Sequence, residues 1–366
     1  MGGGPPKDHL LFAVPAPEPP NVIDDLRKEF PHIEITWQQV PFTFDFKVIA
    51  DSLPKDIWDG VTILCTFAAF PKDRKAAQDL KLVQLLSAGS NHVQDLWIWK
   101  DEDITICTAS GIHGPQIAEW VVMTHLVHTH KYKQLYELQK KHEWPRSINA
   151  ERQQSVRDRV GLRVGILGYG SIGRQVGNLA KAMGMEVLAY TATAKDTPEK
   201  RKDPGFIVPG TGDKDGEVPK EWFSGLDKES LHHFLKQDLD WVVVAVPLTE
   251  ETRHFLSKDE FRKLSHDGKR QVFVTNIARG PIIDQPALIE ALKDGTLDGA
   301  ALDVTDPEPL PEDSELWDME NVVLTPHISG SGVSYMERAL QVMAVNLGKK
   351  EKGERLINVV NRDRGY

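Results

Sequence analysis

Gly168-Tyr169-Gly170-Ser171-Ile172-Gly173 follows directly on the apolar run Val160–Leu167, which reads as a strand, and opens a helical pattern running to about Met183. A bare Gly-x-Gly-x-x-Gly is weak evidence, but strand, tight turn and helix in that order are the context that a dinucleotide-binding turn requires. The three glycines have separate physical reasons. Gly168 permits the sharp turn, Gly170 lets the backbone approach a pyrophosphate, and Gly173 lets helix and strand pack closely. The helix N-terminus, at Ser171 and Ile172, then offers free N–H groups and a positive dipole end to phosphate.

Outward from this turn the same alternation continues. Further strands are expected at Glu186–Thr191, Trp241–Pro247, Gln271–Ile277, Gly299–Val304 and Val322–Thr325, with helical patterns between them. The polar stretch Thr193 to Asp238, punctuated by Gly205, Gly210, Gly212, Gly216, Pro209 and Pro219, reads as a surface insertion or extended loop. Upstream, strands are expected at Leu10–Val14, Ile33–Trp37, Val61–Cys65 and Leu82–Leu86, with a helix-like stretch around Ala76–Asp79. Pro115 to Trp144 reads as one long helix, and Val333–Leu347 as a closing helix. Strands alternating with helices from end to end predict an α/β chain.

A chain of 366 residues is long enough for two domains, each with its own core. A formal net charge of −10 argues against nucleic acid or an anionic membrane as the main partner, while leaving room for small anions at a local cationic pocket. Two cysteines, Cys65 and Cys107, exclude a disulfide framework and point to a reducing compartment. Met1–Pro6 lacks the basic and apolar regions of a secretory signal, and Pro6 does not suit myristoylation. The expected setting is cytoplasmic.

After the second strand of the nucleotide unit, an acidic residue would bind a ribose 2′-hydroxyl. The segment here is Thr191-Ala192-Thr193-Ala194-Lys195, with no acid from Val187 to Ala194 and with Lys200, Arg201 and Lys202 close behind. A missing carboxylate removes repulsion of a 2′-phosphate, and nearby cations attract one. The reading therefore favours NADP(H) over NAD(H), with Thr191 and Lys195 at the ribose end. These cations are also interleaved with Asp196, Glu199 and Asp203, as solvated loop charges would be.

Three further segments end strands: Asn276-Ile277-Ala278-Arg279-Gly280, Asp303-Val304-Thr305-Asp306-Pro307-Glu308-Pro309 and Thr325-Pro326-His327-Ile328-Ser329-Gly330. In a doubly wound sheet, ligands bind at the carboxyl ends of strands, so the three should meet at one crevice. Arg279 can clamp a carboxylate in a bidentate fork. His327 can exchange a proton with a hydroxyl or carbonyl oxygen. Glu308, hydrogen-bonded to the imidazole, would hold its orientation and favour its protonated form. Each alone has an ordinary structural explanation: a capping arginine, a surface glutamate, a buried and satisfied histidine. Together they form a set suited to 2-hydroxy acid chemistry.

These motifs, in this order and at this spacing, resemble the D-isomer-specific 2-hydroxyacid dehydrogenase family, most tightly from Gly161 to Gly330. The resemblance implies that Arg279 binds substrate, Glu308 supports the histidine and His327 is the acid/base. It also implies that Asp303 bonds the nicotinamide carboxamide, with Ala278, Pro247, His327 and Gly330 around the cofactor. Ser87-Ala88-Gly89-Ser90-Asn91 resembles the family loop whose backbone N–H groups hold the substrate carboxylate, which assigns Gly89 and Ser90 to substrate. The implied architecture is two doubly wound domains, a Rossmann dinucleotide-binding domain inserted into a flavodoxin-like substrate domain. With it come bounds of 1–128 and 333–366 for the substrate domain and 129–332 for the nucleotide domain, and a homodimer.

Two other functions fit the same fold: a nicotinamide-sensing binding protein, like the family's corepressors, and a formate-type dehydrogenase. The complete set of Arg279, Glu308 and His327 favours hydroxy-acid chemistry over the second. His125, His128 and His130 lack an accompanying carboxylate or cysteine at ligand spacing, so no metal is expected.

Overall fold

The computed structural model describes residues 8–43, 45–144 and 156–365; Met1–Pro6 lies outside them. The chain forms two compact units, Met1–Ile112 with Val333–Tyr366, and His113–Gly332.

In the first unit, β1 (His9–Val14), β2 (Glu34–Gln39), β3 (Ile63–Thr66), β4 (Leu82–Leu85) and β5 (Thr105–Cys107) form one parallel sheet in the order β2-β1-β3-β4-β5. This is the flavodoxin-like doubly wound order. β3 and β4 are buried throughout and β1 from Leu10 on, the mark of an interior parallel strand. The C-terminal helix Tyr335–Glu351 belongs here: Asn346 Nδ2 donates to Gln84 Oε1 of β4 at 2.9 Å, both residues fully buried. The helix expected around Ala76–Asp79 is absent. The Asp73 carboxylate captures the Ala76 N–H at 3.0 Å, and the segment closes as a turn.

In the second unit, β6 (Arg163–Leu167), β7 (Glu186–Thr191), β8 (Glu221–Ser224), β9 (Trp241–Val244), β10 (Phe273–Asn276), β11 (Gly299–Leu302) and β12 (Val322–Leu324) form a parallel sheet. Its order is β12-β11-β10-β9-β6-β7-β8. Counted from β6, this is 3-2-1-4-5-6 with one strand added, the dinucleotide-binding order. The carboxyl end of β6 therefore sits at the point where the strand order reverses.

Three expectations change. The single helix from Pro115 to Trp144 is two, Gly114–Thr129 and Tyr132–Lys140, divided at Lys131 in the left-handed conformation (φ 55°). The first buries Ile117, Trp120 and Val121; the second buries nothing, so no core surface requires the chain to run straight on. Ile117, Ala118, Trp120 and Val121 share an apolar cluster with Val164, Ile166 and Val176. The whole first helix therefore belongs to the second unit, which starts at His113 rather than Thr129. Finally, residues 193–238 are not a plain surface loop. They supply the edge strand β8 and helix Lys228–Leu235, capped by Asp227 and burying Leu231, Phe234 and Leu235. Among the described residues, no helix is long and apolar enough to cross a membrane.

Candidate active site

The glycine turn at the end of β6 is shaped by exclusion. Gly168 has φ +95°, and a Cβ there would lie 2.5 Å from the Ala245 carbonyl oxygen. A Cβ at Gly173 would lie 2.2 Å from the Gly168 oxygen. Gly170 differs: nothing stands within 4 Å of where its Cβ would be. It caps helix Ser171–Ala182, and among the described residues no side chain takes the first N–H groups. Open space beside unclaimed N–H donors at a helix start is a cradle that fits a phosphate.

At the end of β7, the Thr191 hydroxyl donates to the Thr193 carbonyl at 2.8 Å. Lys195 is half-buried and its carbonyl accepts from Arg201 Nε at 2.9 Å, while Lys200 pairs with Asp196 at 2.7 Å. After β9, the Pro247 carbonyl accepts from the Thr252 hydroxyl at 2.7 Å, fixing that loop.

Arg279, Glu308 and His327 follow β10, β11 and β12, three neighbouring strands. Asn276 holds the first of these loops: its Oδ1 accepts from Ala278 N and its Nδ2 donates to the Arg279 carbonyl, both at 3.1 Å. A Cβ at Gly280 would lie 1.9 Å from the Thr305 carbonyl oxygen, so only glycine lets the Arg279 loop lie against the next one. The Arg279 guanidinium donates to the Ala278 carbonyl at 2.7 Å and, among the described residues, forms no ion pair. Burial pulls its pKa below the ordinary guanidinium value, opposed by the negative charge of Glu308. A half-buried cation with no carboxylate partner among the described residues is suited to an anionic ligand.

His327 Nδ1 lies 2.6 Å from Glu308 Oε1, with both side chains half-exposed. The backbone of His327 is left-handed (φ 52°), and its N–H donates to the Asp303 carbonyl at 2.8 Å. Asp303 itself is 2% exposed. Its Oδ1 accepts from the Thr325 hydroxyl at 2.6 Å and Ile328 N at 2.9 Å. Its Oδ2 accepts from Ser329 N at 3.0 Å and from the Ser329 hydroxyl. Four donors fill the four lone-pair positions of a carboxylate. In this arrangement Asp303 holds the histidine loop, and a nicotinamide carboxamide would need one of those donors to give way.

Gly89 and Ser90 belong to the first unit, after β4. The Gly89 carbonyl accepts from the Ser87 hydroxyl at 2.7 Å, and the buried Ser90 hydroxyl donates to the Gly365 carbonyl at 3.2 Å. The Gly330 carbonyl accepts from Gln116 Nε2 at 3.1 Å. The loop-holding residues Asn276, Gly280, Thr325 and Ser329 escape the sequence reading, although Asn276 two places before Ala278 is a recognisable Asx turn. Two of the three histidines, His125 and His128, have separate tasks. His125 stacks on Trp241 with ring centroids 4.0 Å apart, and His128 Nε2 lies 2.8 Å from Asp298 Oδ2. Among the described residues, no group of three or more potential ligands is placed to hold a metal.

Residues 122–209 and 211–329 match the profile of the D-isomer specific 2-hydroxyacid dehydrogenase, NAD binding domain. A glyoxylate reductase of Korarchaeum cryptofilum is 34% identical over 206 residues, 56% of this chain and 54% of that one. The chain thus spans about half the length of that relative. A glyoxylate reductase of Thermofilum pendens is 28% identical over 321 residues, covering 87% and 86%. Among solved structures, the NADPH-dependent glyoxylate/hydroxypyruvate reductase of Sinorhizobium meliloti, in complex with NADP and sulfate, is 26% identical, with a TM-score of 0.73. That match covers 98% of this chain and 100% of the other.

Proposed function

The chain belongs to the D-isomer specific 2-hydroxyacid dehydrogenase family, and we propose that it interconverts a small 2-keto acid and its 2-hydroxy acid, using NADP(H) in preference to NAD(H). The observation that carries this reading is the hydrogen-bonded pair His327–Glu308 on strand ends neighbouring that of Arg279, which is half-buried and without an ion pair among the described residues.

A bound nicotinamide would supply or accept the hydride. The chain's own residues account for the rest. Gly168, Gly170, Ser171, Ile172 and Gly173 form the phosphate cradle, with Pro247, Ala278 and Gly330 on the loops around it. Arg279 binds the substrate carboxylate through its fork; Gly89 and Ser90, in the first unit, are likewise proposed as substrate-binding. Glu308 accepts a hydrogen bond from the Nδ1–H of His327 and so leaves Nε2 to serve the substrate oxygen. In reduction Nε2 gives its proton to the carbonyl oxygen as carbon gains hydride; in oxidation neutral Nε2 takes the hydroxyl proton. A formate-type reaction has no hydroxyl proton to move and would leave this pair without a task.

The preference for NADP(H) rests on the missing acid after β7 and on the cations Lys195, Lys200, Arg201 and Lys202. The S. meliloti reductase is NADPH-dependent, which agrees with it. The protein is also proposed to be a homodimer, supported by the exposed apolar residues Met123, Tyr132, Leu135 and Tyr136 on helices Gly114–Thr129 and Tyr132–Lys140, and to be cytosolic, supported by its two free cysteines. The test is steady-state turnover of glyoxylate, hydroxypyruvate and branched and aromatic 2-keto acids with NADPH and with NADH. Turnover of none of them by a protein that binds cofactor would favour a binding role instead.

A further inference from the structure

Residues 192–220 cross over from β7 to β8 and contain one short helix, Pro198–Arg201, in an otherwise irregular path. Strands β6, β7 and β8 step outward in one direction. Right-handed connection therefore puts this crossover on the same face of the sheet as helix Ser171–Ala182, which joins β6 to β7. An irregular segment on that face brings backbone groups that need partners. Helix Ser171–Ala182 provides them with polar side chains that would otherwise be misplaced in a core. Arg174, 4% exposed, donates to the carbonyls of Asp213 and Arg201, both at 2.5 Å. Gln175 Oε1 accepts from Gly212 N at 2.6 Å.

Asp213, itself buried, is where this network meets the glycine turn. It accepts from Glu217 N at 2.9 Å and Val218 N at 3.1 Å, and its Oδ2 accepts from the Tyr169 hydroxyl at 3.0 Å. Tyr169 stands between Gly168 and Gly170. Its ring is held on two more sides: edge-on to Trp222 of β8 at 5.1 Å, and against Gly177, where a Cβ would lie 2.7 Å from the Tyr169 hydroxyl oxygen. The Arg174 guanidinium lies over the ring at 5.4 Å. Two glycines give a turn little stiffness of its own. Within Gly168-Tyr169-Gly170, Tyr169 is the one side chain by which the turn can be gripped.

We propose that Asp213 is a positioning residue for dinucleotide binding, and that the 193–238 segment is a brace acting through it on Tyr169 and so on the phosphate cradle. The proposal rests on the nucleotide-binding part of the reading above and not on the substrate. Gripping the turn in advance removes ordering that the cofactor would otherwise have to impose on binding.

The test is direct titration of the full-length protein with NADPH, followed by fluorescence, for wild type, Asp213→Asn, Tyr169→Phe, the double variant and the exposed control Asp215→Asn. Loss of a hydrogen bond to a charged group should raise the Kd about tenfold in each single variant. The double variant should be no weaker than the weaker single, because both remove the same link. The KM for NADPH should rise in step while that for the keto acid stays put, and Asp215→Asn should bind as wild type does. Should Asp213→Asn fail to fold, Tyr169→Phe, which deletes one oxygen, decides alone. Single variants that fold and bind NADPH as tightly as wild type overturn the brace, and so does full additivity in the double variant. A wild-type protein that binds neither NADPH nor NADH overturns the nucleotide reading itself.

Discussion

His327 Nδ1 and Glu308 Oε1 are 2.6 Å apart across the loops that follow β12 and β11. A carboxylate at that distance accepts a hydrogen bond from Nδ1–H and fixes that tautomer, so Nε2 is the nitrogen available for proton exchange. Glu308→Gln keeps the shape but lets the amide present a donor to Nδ1, which favours the wrong tautomer. kcat/KM should fall on the order of 10²-fold, and His327→Ala should lose at least as much at every pH. A Glu308→Gln enzyme with wild-type kinetics would show that the two residues are not coupled.

Arg279 is half-buried, has no ion-pair partner among the described residues, and spends one Nη1 hydrogen bond on the Ala278 carbonyl, which leaves further N–H donors for the proposed substrate carboxylate. Arg279→Ala should lower kcat/KM for a keto acid at least about a hundredfold, the worth of two charge-assisted hydrogen bonds. Arg279→Lys should recover little, since an ammonium cannot reproduce the fork. NADPH affinity, titrated separately, should stay near wild type; a loss confined to cofactor binding would reassign the residue.

Thr191 closes β7 where a ribose-binding acid is missing, with Lys195 four residues on. A carboxylate placed there would repel a 2′-phosphate by about 1–4 kcal/mol at 4 Å, depending on exposure. Thr191→Asp should therefore cut kcat/KM with NADPH roughly tenfold or more and leave NADH use unharmed or improved. Equal losses with both cofactors would place the 2′-phosphate elsewhere.

Much of this architecture is legible in the sequence because buried parallel strands are written as uninterrupted apolar runs, such as Trp241–Val244. The glycine turn and the three strand-end motifs are legible because each needs particular residue types. What the sequence conceals has the opposite character. β8 is a four-residue edge strand with an exposed glutamate and half-buried neighbours, too short to show a period. The break at Lys131 leaves no glycine or proline as a marker, because it follows from the loss of a surface to bury. The roles of Asp303 and Asp213 depend on donors up to 26 and 44 residues away, which no local pattern reports.

His125 links folding to pH. Burial, and next the positive charge of Arg159, hold its pKa at about 3 instead of 6.5. Arg159 Nη1 donates to its Nε2 at 3.2 Å, a bond that requires a neutral ring. Between those two values the unfolded chain binds a proton that the folded chain does not, so stability falls as pH drops through the window. From pH 6.5 to 5 the loss is about 2 kcal/mol for this group. His125→Phe preserves a ring against Trp241 and should lose less stability between pH 7 and pH 5 than wild type in urea unfolding. Parallel losses in the two proteins would show that other groups, such as Asp298, set the acid sensitivity.

Gly170 and Gly173 separate cofactor binding from folding. A Cβ at Gly173 would lie 2.2 Å from the Gly168 carbonyl oxygen, closer than any real contact, so Gly173→Ala must push helix and strand apart. It should lower the Tm and abolish NADPH binding together. Gly170 has ordinary extended backbone angles (φ −84°, ψ −160°) and nothing within 4 Å of its would-be Cβ. Alanine there costs the folded chain nothing and removes some freedom from the unfolded one, so the Tm should hold or rise slightly. The same methyl group would occupy the space a pyrophosphate needs beside the helix N-terminus, and NADPH binding should weaken on the order of tenfold or more. Gly170→Ala with unchanged NADPH affinity would mean that the open side of the turn is not where the phosphates lie, whatever the fate of Gly173→Ala.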